Sequence, residues 1–111
     1  MKNTTSLNKN YEFKRLYNKG KNAISQFVVV YCRRNGTKKN RLGITVSSKI
    51  GGAVVRNRIR RRLKEIYRLN EAGLHTGYDI IIAARMKSRY SGYGDIENSV
   101  LQLFKKLDLL K

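Results

Sequence analysis

Hydrophobic and polar residues follow two rhythms along this chain, and the changes of rhythm mark its elements. Phe13, Leu16 and Tyr17 fall at i, i+3 and i+4 among Lys14, Arg15 and Lys19. That spacing predicts a short amphipathic helix, with Asn10 suited to its N-cap and Gly20 to the position after its last turn. Residues 26–32 (QFVVVYC) are β-branched and aromatic and apolar on both faces, the pattern of a central strand. A polar stretch at residues 35–40 turns the chain, and Leu42, Ile44 and Val46 then alternate with Gly43, Thr45 and Ser47. This second strand has one apolar face and is expected to pair with the first as an antiparallel hairpin.

From Gly52 to about Ala72 the period lengthens to about 3.6. Val55, Ile59, Leu63, Ile66 and Asn70 share a sector of about 80° when each residue advances about 100°. Gly73 and Gly77 close this longest helix and open a strand at residues 78–84 (YDIIIAA) that is apolar on both faces. After the loop at Gly92 and Gly94, Ile96, Val100, Leu103, Phe104, Leu107 and Leu110 form a last helical stripe. The order helix, strand, strand, helix, strand, helix predicts an α+β fold, a two-layer sandwich of one sheet and packed helices.

The chain has 111 residues, enough for one domain spanning 1–111 and too few for two self-sufficient cores. Composition changes the picture through charge: 25 Lys and Arg stand against 7 Asp and Glu, a formal net charge of +18. So much like charge on a small surface repels itself and calls for a polyanion, nucleic acid first. A membrane span needs about 20 apolar residues, which no run approaches, and the opening residues lack the apolar core of a secretion signal. No membrane association and a cytoplasmic location are therefore expected. The lone Cys32, inside an apolar run, reads as a small buried hydrophobe.

The charge concentrates between Arg56 and Arg68, where seven cations accompany one acid without interrupting the apolar stripe. Like charges at i and i+4, such as Arg56 with Arg60 and Arg60 with Lys64, weaken a helix. A helix selected for stability alone would intersperse acids, so this face is read as a phosphate-binding surface. The guanidinium fork grips phosphate with two hydrogen bonds, and Asn57 both donates and accepts beside it. If the first helix crosses the first strand, Phe13, Tyr17 and Tyr31 line a trough on which unpaired bases stack. Aromatics at helical spacing also serve as core, and the pattern leaves both roles open.

Protein-borne catalysis finds little support. The one histidine, His75, stands in a glycine-flanked loop and is expected to face solvent. No His and Cys grouping has zinc spacing, so no metal site is expected. Asp95 and Glu97 suit the first turn of the last helix better than a metal pair. Gly51-Gly52 lacks the lysine spacing of a phosphate loop and reads as a flexible helix entry.

Residues 52–65 (GAVVRNRIRRRLKE) resemble the signature of the protein subunit of bacterial ribonuclease P, whose motif is Arg-Asn-Arg followed by further cations. The resemblance covers nearly the whole chain: Leu7 and Phe13 before Gly20, an apolar strand, RLGITVS at 41–47 leading to Lys49, the motif helix, GYD at 77–79, and a leucine-rich terminal helix. It implies a domain like the second domain of ribosomal protein S5, with a left-handed βαβ crossover that the general handedness rule disfavours. It further implies a subunit that binds the catalytic RNA of ribonuclease P and the 5′ leader of precursor tRNA. The RNA, with Mg²⁺ bound mainly by that RNA, would cut the phosphodiester bond to give the mature 5′ end. Arg56, Asn57, Arg58, Arg60, Arg61, Arg62, Lys64 and Lys49 would contact the catalytic RNA; Phe13, Tyr17 and Tyr31 would line the leader cleft. Tyr17 and Ser48 stand where the family often has Phe and Lys. No obligate protein partner is implied. A structural, ribosomal-type RNA-binding protein is the rival reading; a DNA-binding protein fits less well, because a single basic helix reads base edges poorly.

Overall fold

Ile80, Ile81 and Ile82 are fully buried, and the fold is arranged around the strand that carries them. A computed structural model describes residues 1–111. Its elements are β1 (Thr4–Ser6), α1 (Asn10–Lys19), β2 (Lys21–Ile24), β3 (Val28–Arg34), β4 (Asn40–Thr45), α2 (Ala53–Asn70), β5 (Tyr78–Ala84) and α3 (Tyr93–Lys106). The strands form one five-stranded sheet in the order β1-β4-β5-β3-β2. Strand β5 runs parallel to β4 and antiparallel to β3, and β1 lies parallel to β4 at one edge.

The expected hairpin between the first two apolar strands does not form, because β5 lies between β3 and β4. A strand apolar on both faces is satisfied only where ladders flank it and layers cover it, and β5 meets that condition best. Its hairpin role is taken by β2 and β3, joined through Ser25, Gln26 and Phe27, with Ser25 Oγ accepting the Phe27 and Val28 amides. Side chains of alternate strand residues point to opposite faces. One face carries Val28, Val30, Cys32, Leu42, Ile80 and Ile82 into the main core with Ile59, Leu63, Ile66 and Tyr67 of α2 and Ile96, Val100, Leu103 and Phe104 of α3. The other face carries Ile81 into a small core with Leu7 and Leu16 beneath α1, flanked by Phe13 and Tyr31. The sheet is thus covered on both faces, which corrects the two-layer expectation: α1 lies opposite α2 and α3.

Two close approaches seat α1. A Cβ on Gly43 would lie 2.6 Å from the Phe13 ring, and one on Gly20 would lie 2.6 Å from the Leu16 carbonyl and 2.9 Å from that of Cys32. Asn10 is the first helical residue and not the cap; Lys9 holds that position without a side-chain hydrogen bond. Helix α3 stops at Lys106, short of its expected stripe, and Leu109 and Leu110 follow it as irregular chain that still packs, Leu110 bridging to Leu74. Cys32 is buried as expected, and burial raises its thiol pKa.

Candidate nucleic-acid interface

Helix α2 begins at a glycine cap with no acid in its first turn. The unpaired amides and positive dipole end are therefore left to attract anions, beside a row of cations. Packing of Ile59, Leu63, Ile66 and Tyr67 turns Asn57, Arg60, Arg61 and Lys64 outward, and all four are exposed. Arg60 Nη1 donates to Asn57 Oδ1 at 3.4 Å, and Val54, 83% exposed, lies with them in the same shallow hollow. The only ion pair on this helix is Arg68 with Glu65, one turn beyond the cluster. Lys49 is exposed on a 3₁₀ turn at Ser48–Ile50 that leads into α2.

Arg58 and Arg62 are set differently from their neighbours. Arg58 donates to the Arg89 carbonyl at 3.3 Å and Arg62 to the Ser91 carbonyl at 3.2 Å, while Arg89 donates to the Ile50 carbonyl at 3.0 Å. These bonds lace the 3₁₀ turn Met86–Tyr90 to the basic end of α2. Arg56 and Arg58 each keep a covered Nε–H without a partner, a costly arrangement that an anion drawing the side chain outward would relieve.

On the opposite face the three predicted aromatics meet. The Tyr17 and Tyr31 rings stand edge-on with centroids 4.8 Å apart, and Phe13 lies tilted to Tyr17 at 6.5 Å. Phe13 and Tyr31 rest against the small core and are half-buried, whereas Tyr17 is 41% exposed. Arg41 of β4 holds α1 over this face. It grips Asp79 with two hydrogen bonds of 2.7 Å and pairs with Glu12 of α1, and the hydrogen bond to Asp79 raises its pKa further. A hollow of about 410 Å³ runs past the β1 and β4 edge, lined by Ser6, Phe13, Gly43, Ile44, Arg60 and Lys64 among others. It connects the aromatic face with the basic helix.

A family model described as Ribonuclease P matches residues 1–108. The chain belongs to the ribonuclease P protein family. It is 39% identical over 110 residues to the ribonuclease P protein component of Alkaliphilus metalliredigens, covering 99% of each chain. It is 45% identical over 103 residues to that of Thermoanaerobacter pseudethanolicus, covering 93% of this chain and 89% of that one. Among solved structures, the Staphylococcus aureus RNase P protein superposes with a TM-score of 0.88 at 33% identity, over 96% of this chain and 97% of that one. The Thermotoga maritima protein gives 0.84 at 30%, over 91% and 96%.

As a ribonuclease P protein, this chain brings Asn57, Arg60, Arg61 and Lys64 onto one open face and divides them from Arg58 and Arg62, which partly serve the fold. The sequence pattern did not single out Arg41, nor the turn carrying Lys87, Arg89 and Tyr90, where Tyr90 is 77% exposed and the Arg89 guanidinium lies 5.4 Å from its ring centroid. The spacing Arg85-x-Lys87-x-Arg89-Tyr90 was a usable signal for that turn; Arg41 had none, because both its partners are distant in sequence. His75 is exposed, as expected. No helix is long and apolar enough to cross a membrane.

Proposed function

We propose that this ribonuclease P protein binds the catalytic RNA through α2 and the 5′ leader of precursor tRNA through Phe13, Tyr17 and Tyr31, and that the RNA performs the cleavage. The observation that carries this reading is the placement of an unpaired cationic face and a half-open aromatic cluster on opposite sides of one sheet, joined by a hollow at its edge. Lys49, Arg56, Asn57, Arg58, Arg60, Arg61, Arg62 and Lys64 take phosphates. The aromatic rings take unpaired bases, each worth about 1–3 kcal/mol.

Two folded RNAs repel each other, and a cationic wedge between them lowers that repulsion. Affinity then falls with salt by about 0.7–0.9 log units per phosphate contact per log unit of salt. Mg²⁺ demands several oxygen ligands at near-octahedral geometry. The α2 face offers guanidinium and ammonium donors instead and does not fit the ion, so in this reading Mg²⁺ belongs to the RNA. What the chain contributes is binding and charge: phosphates held by α2, leader bases held beside α1, and no nucleophile. It works in the cytoplasm with RNA and not protein as its obligate partner.

The test is to add the purified chain to a bacterial ribonuclease P RNA and precursor tRNA at low Mg²⁺ and to look for the mature 5′ end. Stimulated cleavage, absent with either component alone, is expected. Cleavage by the RNA-free protein would overturn the division of labour, and co-sedimentation with ribosomes without stimulation would favour a structural RNA-binding role.

A further inference from the structure

Far from the start of α2, at the opposite end of the strands, Lys19, Lys21, Arg33 and Arg34 surround a concavity of about 400 Å³ floored by Tyr78. All four cations are exposed and none forms an ion pair. Arg33 lies opposite Asp79 in the β3–β5 register, but both Asp79 oxygens are already held by Arg41. The one acid on the wall, Asp108, is paired with none of them. Arg34 rests its guanidinium 5.4 Å from the Tyr78 ring centroid, which holds the fork in place before any ligand arrives. Four like charges converging on one hollow repel each other, and a phosphate between them reverses the sign of that interaction.

The hollow opens round the β3 edge from the aromatic cluster, with Arg33 on the side of the rings and Cys32, Arg34 and Tyr78 on the side of α3. Arg33 is two residues beyond Tyr31 on the same face of β3, about 6.6 Å further along the strand, and Lys19, about 200° round α1 from Tyr17, meets it at the wall of the hollow. Lys21 pairs with Cys32 in the β2–β3 register, one step past the pair of Asn22 with Tyr31, so its side chain stands with that of Arg34 on the α3 side of the sheet. A strand whose bases stack on Tyr17 and Tyr31 therefore reaches Arg33 next, and comes to Lys21 and Arg34 by turning round the edge of β3 that lies beyond the start of β2. The geometry points to this pocket as a phosphate-binding subsite for the part of the precursor leader that extends beyond the aromatic cluster, an assignment that rests on the leader reading proposed above. It makes the leader footprint longer than the aromatic cluster, with bases held first and backbone held after.

The experiment uses the enzyme reconstituted with its catalytic RNA, and precursor tRNAs with either a short leader ending at the aromatic cluster or a longer one. For the double variant Lys21→Gln/Arg34→Gln, the salt dependence of long-leader binding should become shallower by about 1.4 log units, two contacts at about 0.7 each for single-stranded RNA. Short-leader binding should keep its slope. Lys19→Gln/Arg33→Gln should repeat the pattern, and an unchanged thermal melt shows that each variant is folded. Equal losses for both leaders, no loss for either, or weakened assembly with the catalytic RNA alone would each overturn the assignment; the last would give the pocket to the catalytic RNA. Tyr17→Ala and Tyr31→Ala in the same series separate the two levels. If leader affinity falls with the tyrosines but not with the cations, only this subsite is lost; if it survives the tyrosine variants, the leader reading itself fails.

Discussion

On α2, Arg60, Arg61 and Lys64 follow one another along a single helix, and the buried stripe behind them is enough to turn them outward. On the far face, Phe13 and Tyr17 come from a helix and Tyr31 from a strand that meets it only when the sheet closes. The acids follow the same division. Glu12 and Asp79 pair with Arg41 beneath α1, Glu65 pairs with Arg68 late in α2, and Glu71 receives the N-terminal strand. Between Ala53 and Lys64 there is no acid. The aromatic side is thus assembled by long-range ion pairs and a small core, whereas the basic side is a local pattern left uncompensated. A local pattern tolerates loosening elsewhere in the fold; an assembled cluster does not.

The largest effect that sharpens this contrast is expected from Leu16→Ala. Leu16 is 1% exposed in the small core under α1, and its truncation should cost about 2–5 kcal/mol in denaturant unfolding. Leader affinity should fall with it, while catalytic-RNA binding by the still-folded fraction is retained. A cost below about 1 kcal/mol would mean that α1 is not seated by this core.

Next come the rings. Tyr17→Ala or Tyr31→Ala should weaken precursor tRNA binding by about 1–3 kcal/mol and leave mature tRNA nearly unchanged in a competition assay. Equal losses for both ligands would dissolve the distinction between the faces.

Within α2, two pairs of arginines should behave differently. Arg60→Ala/Arg61→Ala should flatten the salt dependence of catalytic-RNA binding by about 1.4–1.8 log units without lowering the melting temperature. Arg58→Ala/Arg62→Ala should also destabilise the fold by about 1 kcal/mol, because the carbonyls of Arg89 and Ser91 lose their donors. Identical melting curves for the two pairs would show that the lacing to the 86–90 turn contributes nothing.

The smallest effect is a pH dependence at the edge strand. Burial pushes the Glu71 carboxyl up, but hydrogen bonds from the Thr4 hydroxyl and the Lys2 and Asn3 amides outweigh it and leave the pKa below the usual glutamate value. A carboxylate depressed in the folded state stabilises above its unfolded pKa and loses that contribution as pH falls through the folded one. Protection of the β1 amides, measured against their intrinsic exchange rates, should therefore fall below roughly pH 4 before that of α2 or α3. Glu71→Gln should remove most of that pH dependence.

Much of this was legible in the amino-acid pattern because the signals are local. The stripe Ile59, Leu63 and Ile66 lies within a few turns and announces α2, and the run Tyr78–Ala84 announces a strand covered on both faces. The motif cations, Gly20 and the exposed His75 were equally visible. Thr4–Ser6 and Lys21–Ile24 were not, because short polar edge strands carry no period and exist only through the ladders of β4 and β3. The burial of Tyr67 was missed for a related reason: its hydroxyl is satisfied by Thr4 and Asn40, both distant in sequence.

The sequence by itself determined the α+β class, the positions of the three helices and the three apolar strands, and the cationic face of α2, because helix and strand periods and net charge are properties of neighbours along the chain. Only the tertiary structure decided that β5 lies between β3 and β4, that α1 crosses the opposite face from α2, that Arg58 and Arg62 turn toward a loop, and that Lys19, Lys21, Arg33 and Arg34 share a pocket. Those facts depend on which surfaces must be buried together, and burial is a property of the whole chain closing on itself.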